Sequence, residues 1–337
     1  MGEVARSAGE GARSAGEGSC FLCFLRFRMT SYRGRFAPSP TGDLHFGSLV
    51  AAVGSYLDAR AQHGKWLVRI EDLDPPRTKP GAADRMLAQL DAYGFEWDGP
   101  VLYQSTRFDA YAEAVEQLTH SGALRECPCS RSALAALPQN ATRPSGTGED
   151  LFHPAECLPL NPASALGHAL RLRVPAGPVT FADRSLGPQA IDVAATVGDF
   201  VLQRRDGLYA YQLAVVVDDA AQGITDVVRG CDLLASTARQ VLLQRALGLP
   251  AVRYLHLPLA VDDRGLKLSK SGDAPAVGNG AGLARHLVSV LDFLGQSPPP
   301  ALAGAALDEV WQWARDHWRV EGFAGCAVRA APQEVAC

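Results

Sequence analysis

The sequence predicts an α/β fold built on a parallel sheet. Two observations predict it. "GRFAPS" (Gly34–Ser39) reads as a short strand running into a turn, and an apolar run at helical spacing over Leu49–Gln62 follows it. "WLVRIEDLD" (Trp66–Asp74) is then a continuous apolar run that ends in acids, which is how a buried parallel strand looks where its carboxyl end opens into a site. Strand, helix and strand in this order make a βαβ unit.

Each further element follows from local chemistry. Gly64 stands just past the first helix, where a glycine commonly ends one. Pro75 and Pro76 break the chain, and the patterns over Ala82–Tyr93 and Ala110–Ser121 predict two more amphipathic helices. From Cys127 to about Pro162 the chain is rich in Pro, Gly, Thr and Asn and reads as a loop-rich insertion. "ALRLRV" (Ala169–Val174) and Phe200–Asp219 alternate between strand-like and helix-like patterns, and "RRDGLYAY" carries an Asp-Gly turn signal for a hairpin. Ile224–Arg229 reads as a strand and Thr237–Leu247 as a helix. Beyond Ser271 the chain is mostly helical and rich in alanine, and "RAAPQEVAC" at its end is expected to fray.

Composition narrows the function classes. With 47% hydrophobic and 20% charged residues the chain can bury a core. A net charge of -4 excludes a globally basic nucleic-acid coat, so a polyanionic partner needs a local basic patch. No apolar run approaches the roughly 20 residues that span a bilayer. The eight cysteines are scattered and do not read as a disulfide framework. A tandem "ARSAGEG" repeat occupies Ala5–Gly18, and residues 1–28 read as a disordered low-complexity extension, with Met29 the start of the folded part.

Two short stretches carry chemistry. In "APSPTGDLHFGSL" (Ala37–Leu49), prolines, glycines and His45 crowd the mouth of a helix. Free N–H groups and partial positive charge suit that end to phosphate, Gly42 and Gly47 admit a large anion, and His45 can donate to it. A capping or core histidine is the bland alternative. "KLSKS" (Lys267–Ser271) packs two lysines and two serines behind the turn "DDRG", and lysine suits a departing phosphate. An ordinary solvated basic loop is the alternative there. Cys127 and Cys129, followed by His153 and Cys157, make three thiolates and one imidazole, a set suited to structural zinc. Reduced cysteines without metal are the alternative.

"PSPTGDLHFGS" resembles the HIGH signature of class I aminoacyl-tRNA synthetases, and "KLSKS" resembles their KMSKS signature. "RFAPSPTG", "RIEDLDPPR", "YQSTR" and "VVRGCDLL" resemble the glutamate branch, with Ser48 standing where the HIGH motif ends in a second histidine. "LHFGSLVAAVGSYLDARAQHGKWLVRIEDLDPPR" and "RRDGLYAYQLAVVVDDAAQGITDVVRG" resemble the branch's short paralogues, which attach glutamate to queuosine in the anticodon of tRNA(Asp). The resemblance implies a Rossmann-type parallel-sheet catalytic domain over 29–271, with a zinc-binding insertion at 123–165 and a small helical part at 272–337.

It also implies roles. His45 and Lys270 would be catalytic. Gly47, Ser48 and Lys267 would join them in binding ATP with Mg²⁺. Arg35, Phe36, Ala37, Pro38, Ser39, Glu71, Tyr211 and Arg229 would bind glutamate. Arginine forks suit its carboxylates and Glu71 its ammonium. In short family members a tyrosine often serves as a zinc ligand where this chain has His153. A cytoplasmic monomer that binds no membrane is expected. Rival readings are a compact glutamyl-tRNA synthetase charging a 3′ end, a small-molecule nucleotidyltransferase, and a non-catalytic RNA-binding paralogue.

Overall fold

The structure is a computed structural model that describes residues 31–141, 151–154, 156–157, 167–262, 264–265, 267–268, 277 and 282–332. The proposed extension over 1–28, Cys20, Cys23, Lys270, Ser271 and Cys337 lie outside the described residues.

β1 (Arg33–Phe36), α1 (Phe46–Ala61) and β2 (Lys65–Ile70) form the expected βαβ unit, with β1 and β2 parallel and Arg35 opposite Leu67. α1 starts three residues before the apolar pattern does, because His45 caps it. Gly64 is not the left-handed residue at its end: His63 is, with φ 51°. Gly64 is needed for closeness instead, since a Cβ there would lie 2.6 Å from the carbonyl oxygen of Tyr32, which immediately precedes β1. α2 (Ala82–Ala92) leads to β3 (Leu102–Tyr103), which pairs in parallel with β2, and α3 (Phe108–His120) follows.

β4 (Leu124–Cys127) lies within the span read as an insertion but is a regular strand. It precedes two short helices, α4 (Arg131–Ala135) and α5 (Pro138–Ala141), and pairs antiparallel with β5 (Ala169–Leu172). β6 (Val179–Asp183) and β7 (Gly187–Ile191) make a hairpin that the sequence reading missed. After α6 (Val193–Thr196), β8 (Phe200–Gln203) joins the other edge of β5. The Asp-Gly signal is real: Gly207 has φ 85°, and Gln203 bridges Tyr209 across the turn. α7 (Tyr211–Ala221), β9 (Asp226–Gly230), α8 (Leu234–Ala246) and β10 (Arg253–Leu257) complete a second parallel set, in which β10 lies between β9 and β6. β11 (Leu259–Val261) precedes α9 (Leu283–Phe293) and α10 (Leu307–His317).

β1 lies beside β9, so the two parallel sets meet there. Their amino ends are tied by two bonds of 2.9 Å: Thr225 N–H donates to the Arg33 carbonyl, and Arg33 N–H donates to Thr225 Oγ1. The chain runs outward from this junction in both directions, to β2 on one side and β10 on the other. The carboxyl ends of β1 and β9 therefore flank a topological switch point, where α/β sheets hold their ligands.

The C-terminal helices share the core of the first βαβ unit: Leu287, Val290, Trp311 and Phe323 pack with Leu49, Val53, Tyr56 and Trp66. The expected fraying at "RAAPQEVAC" starts too early. Arg329 and Ala330 belong to β12 (Val328–Ala330), which pairs in parallel with β11, and the Arg329 guanidinium donates to the Phe293 carbonyl.

Charge is buried at the junction as well. Asp219 on α7 accepts from Arg35 Nε at 3.0 Å and from Arg69 Nη1 at 2.8 Å, and the three side chains are 7%, 4% and 0% exposed. Burial alone would raise the Asp219 carboxyl, but the two guanidiniums outweigh it and hold the acid below its ordinary range. Removing one partner of such a cluster leaves uncompensated buried charge, so Asp219→Asn is expected to destabilise the fold by about 3–5 kcal/mol at neutral pH. Because the native carboxyl is depressed, its contribution is complete above its unfolded value of roughly 3.9 and is lost as pH falls through the native one. Urea unfolding midpoints of the two proteins should therefore converge in acid. Equal midpoints at pH 7 would show that the cluster contributes nothing.

Candidate active site

His45 has extended backbone (φ −112°, ψ 174°) and caps α1 through its side chain, with Nδ1 accepting the Ser48 N–H at 3.2 Å. That bond places the ring hydrogen on Nε2, facing away from the helix and free to donate. Burial first, then the nearby Lys267 cation, lower its pKa, so the ring is neutral near pH 7. Gly47 gives the ring its room: a Cβ there would come within 3.2 Å of His45 Cε1.

The second lysine stretch comes to the same edge. Lys267 is close enough to His45 to shift its titration, and its Nζ pairs with Asp232 Oδ2 at 2.6 Å. Farther on, Val277 N–H donates to the Leu44 carbonyl at 2.8 Å. Gln89 clasps that junction, accepting from Leu44 N–H and donating to the Val277 carbonyl. Lys267 and Val277 thus both lie beside the mouth of α1.

The glutamate-site candidates converge. Arg35 lies near the end of β1, Glu71 follows β2, Tyr211 opens α7 and Arg229 lies near the end of β9. Burial raises the Tyr211 phenol, with the Glu71 charge adding to it and Arg229 and Arg35 opposing, so four elements bring these groups to one place. Pro38 accepts the Glu71 N–H at 2.9 Å, which draws the turn after β1 against the end of β2. Burial raises the Glu71 carboxyl despite its 3.3 Å contact with Arg69. Phe36 is buried beneath the turn and Ser39 lies exposed on it.

Several partners escaped the sequence reading. Arg69 sits inside the apolar "WLVRIE" run, and Asp218 and Asp219 inside "VVVDDAA". Charges in a buried strand or on an apolar helix face must be paired, and that rule is the signal that could have found them. Asp218 gathers Arg107 Nε at 3.1 Å, Tyr111 Oη at 2.7 Å and Gln104 Nε2 at 3.0 Å.

Away from the sheet edge, Cys127, Cys129, His153 and Cys157 point their ligand atoms to one spot, all within 4.8 Å of one another. Burial works against the Cys127 thiolate, but the His153 bond at 3.2 Å and Arg171 prevail and bring the thiol down to about 6. Burial and the neighbouring Cys127 push Cys157 up to about 11. Three thiols and an imidazole gathered within so small a space fit a divalent cation that takes sulfur and nitrogen ligands. His153 is fixed by its backbone: its N–H donates to the Val197 carbonyl at 2.8 Å, and Gly198, at φ 71°, passes so close that a Cβ would overlap the His153 oxygen at 1.9 Å.

Comparison with known proteins agrees with this layout. The profile of "tRNA synthetases class I (E and Q), catalytic domain" matches residues 31–280. A protein of Dechloromonas aromatica named glutamyl-Q tRNA(Asp) synthetase is 58% identical over 287 residues, which cover 85% of this chain and 94% of that one. The protein of the same name from Aromatoleum aromaticum is 54% identical, covering 85% and 89%. Among solved structures, the glutamate–tRNA synthetase of Elizabethkingia anophelis superposes with a TM-score of 0.72 at 26% identity, over 91% of this chain and 69% of the other. The chain belongs to the class I tRNA synthetases of the E and Q group, whose catalytic domain it carries.

Proposed function

We propose that this protein activates glutamate with ATP and transfers it to the queuosine base in the anticodon of tRNA(Asp). The observation that carries the amino-acid reading is the meeting of Arg35, Glu71, Tyr211 and Arg229 at the carboxyl ends of β1, β2 and β9. The RNA substrate is supported by relatives of that printed name, more than 50% identical over most of both chains. Arg35 and Arg229 take the glutamate carboxylates, Glu71 the ammonium, and Tyr211 and the Phe36–Ser39 turn complete the contacts. An oxygen of the substrate carboxylate attacks the α-phosphorus of ATP, pyrophosphate leaves, and glutamyl-adenylate stays bound. A queuosine hydroxyl then attacks the acyl carbon and AMP leaves.

The protein's part is to position reactants and stabilise charge. His45 Nε2–H and the mouth of α1, with Gly47 and Ser48, hold phosphate, and Lys267 and Lys270 neutralise the leaving pyrophosphate. Mg²⁺ accompanies ATP. The reaction takes place in the cytoplasm; among the described residues no helix is long and apolar enough to cross a membrane.

One structural zinc ion on Cys127, Cys129, His153 and Cys157 fits the donor set, and when bound it crosslinks the end of β4 to the segment before β5. The protein's own residues prepare that place: Asn140 ties the two sides by donating to the Leu134 carbonyl at 2.7 Å and accepting the Phe152 N–H at 2.8 Å.

ATP–pyrophosphate exchange should depend on glutamate and need no RNA. tRNA(Asp) lacking its terminal 3′ adenosine should still accept glutamate, and tRNA(Asp) with guanine in place of queuosine should not; the reverse pattern would assign charging of the 3′ end. Arg229→Ala should raise the KM for glutamate roughly 10- to 100-fold, as loss of a bond to a charged group does, and leave the KM for ATP near its wild-type value. An unchanged glutamate KM would remove Arg229 from the pocket. Metal analysis should find one zinc per chain, lost in Cys157→Ser. It should also be lost in Gly198→Ala, which touches no ligand atom but displaces the His153 backbone. A wild-type protein purified without zinc would end the metal reading.

A further inference from the structure

Arg229 differs from Arg35 in what holds it. Arg35 is neutralised by Asp219, whereas Arg229 makes no ion pair among the described residues. It is nevertheless 5% exposed, and each of its nitrogens has a distinct state. Nη2 donates to Thr237 Oγ1 at 2.7 Å and lies 3.4 Å from the Leu233 carbonyl. Nε points at His256 Nε2, 3.4 Å away. Nη1 is buried and has no partner.

The group facing Nε is itself anchored. His256 on β10 is wholly buried, and its Nδ1 lies 2.7 Å from Asp183 Oδ2 at the end of β6. Asp183 also accepts from the backbone N–H groups of Ser185 at 3.0 Å, Leu186 at 2.9 Å and His256 at 3.1 Å. Three backbone donors around one carboxylate keep it ionised, so the His256 ring hydrogen sits on Nδ1 and donates to Asp183. Nε2 is left as a bare acceptor toward Arg229 and the Thr237 hydroxyl, which is 3.2 Å away. The same bonds explain why β6 and β10 are neighbours: their one paired register, Tyr254 with Asp183, sets the acid beside the histidine.

We propose that His256, oriented by Asp183, is a positioning residue for amino-acid selection: together with Thr237 it fixes the Arg229 guanidinium so that Nη1 alone faces the substrate, as a rigid donor for the side-chain carboxylate. This rests on the glutamate reading above. A buried cation that is not paired inside the protein favours an ionised ligand over a neutral one of the same shape, and the preference is sharp only while the cation cannot swing to another partner. Glutamate is thereby preferred over glutamine through the imidazole directly behind the arginine.

The test uses two substitutions that divide the imidazole. The terminal amide of His256→Gln reaches the position of Nε2 and keeps an acceptor for Arg229. That of His256→Asn reaches only the position of Nδ1, keeping the Asp183 contact and losing the Arg229 one. In glutamate-dependent exchange, His256→Asn should raise the glutamate KM about 10-fold and lower the glutamate-to-glutamine preference by a similar factor, with the ATP KM within about two-fold. His256→Gln should recover most of both. A merely structural role would scale kcat with the folded fraction and leave KM alone, and active-site titration of each preparation separates the two. Equal glutamate KM values in both variants, or a better one in His256→Asn, would overturn the positioning role. Wild-type protein without glutamate-dependent exchange would overturn the glutamate reading, and this inference with it.

Discussion

The Asp219 carboxylate is the interaction on which the site depends. Two parallel strands carry arginines into the interior, and neither could stay there alone. One acid on α7 answers both, at 3.0 and 2.8 Å. The result is more than neutralisation. It fixes α7 against the sheet at the switch point, and so sets where Tyr211, one helix-length away, meets the carboxyl ends of β1 and β2. It also leaves Glu71, next to Arg69, in a place dry enough to raise its carboxyl. A pocket for a zwitterionic dicarboxylate needs both signs of charge within a few ångströms. Folding them in without collapse onto each other requires that some be spent on internal pairs and others held back. Arg69 is paired with both Asp219 and Glu71, and Arg35 meets Asp219 through only one edge, Nε and Nη2; Arg229 is held by neutral groups instead.

The phosphate side obeys the same economy with fewer charges. α1 has no acid in its first turn, so its amino end keeps its positive character. The Lys267–Asp232 pair, about a third exposed on both sides, is a contact that solvent weakens and a phosphate can replace. The ties through Gln89 and Val277 are neutral hydrogen bonds, so they hold the chain beyond the lysine stretch without competing for an anion.

Much of this was legible in the chain. Periodicity gave α1, α2, α3 and α8, and the apolar run of Trp66–Ile70 gave β2, because a two-sided burial and a helical stripe each leave a pattern in one segment. The candidate site residues were named from motifs, and the structure brings Arg35, Glu71, Tyr211 and Arg229 close together. What was not legible depends on pairs remote in sequence. The β6–β7 hairpin and β10 are short and are defined by their partners. Asp219 takes its meaning from Arg35, 184 positions away, and Asp183 from His256, 73 positions away. Gly64 looks like a turn glycine, yet what requires it is another backbone passing within 3 Å, and Gly198, left-handed at φ 71°, has such a neighbour as well. Spacing along the chain cannot show such contacts.

His45 shows why the bland and the functional reading of a residue need not compete. The sequence offers a choice between a capping histidine and a phosphate donor. In the structure it caps the helix, and that is what equips it to donate: by accepting the Ser48 N–H, Nδ1 gives up its hydrogen to Nε2, and burial beside Lys267 keeps the ring neutral. A histidine free of the helix would sample both tautomers and a cationic form. His256 repeats the device with the opposite outcome, since a carboxylate at Nδ1 claims the hydrogen and Nε2 becomes an acceptor. In both cases a bond on the buried nitrogen decides what the other nitrogen can do. The stability of the fold and the chemistry of the site are in this sense set by the same hydrogen bonds, and a change that spares every substrate contact can still alter the reaction by reversing one of them.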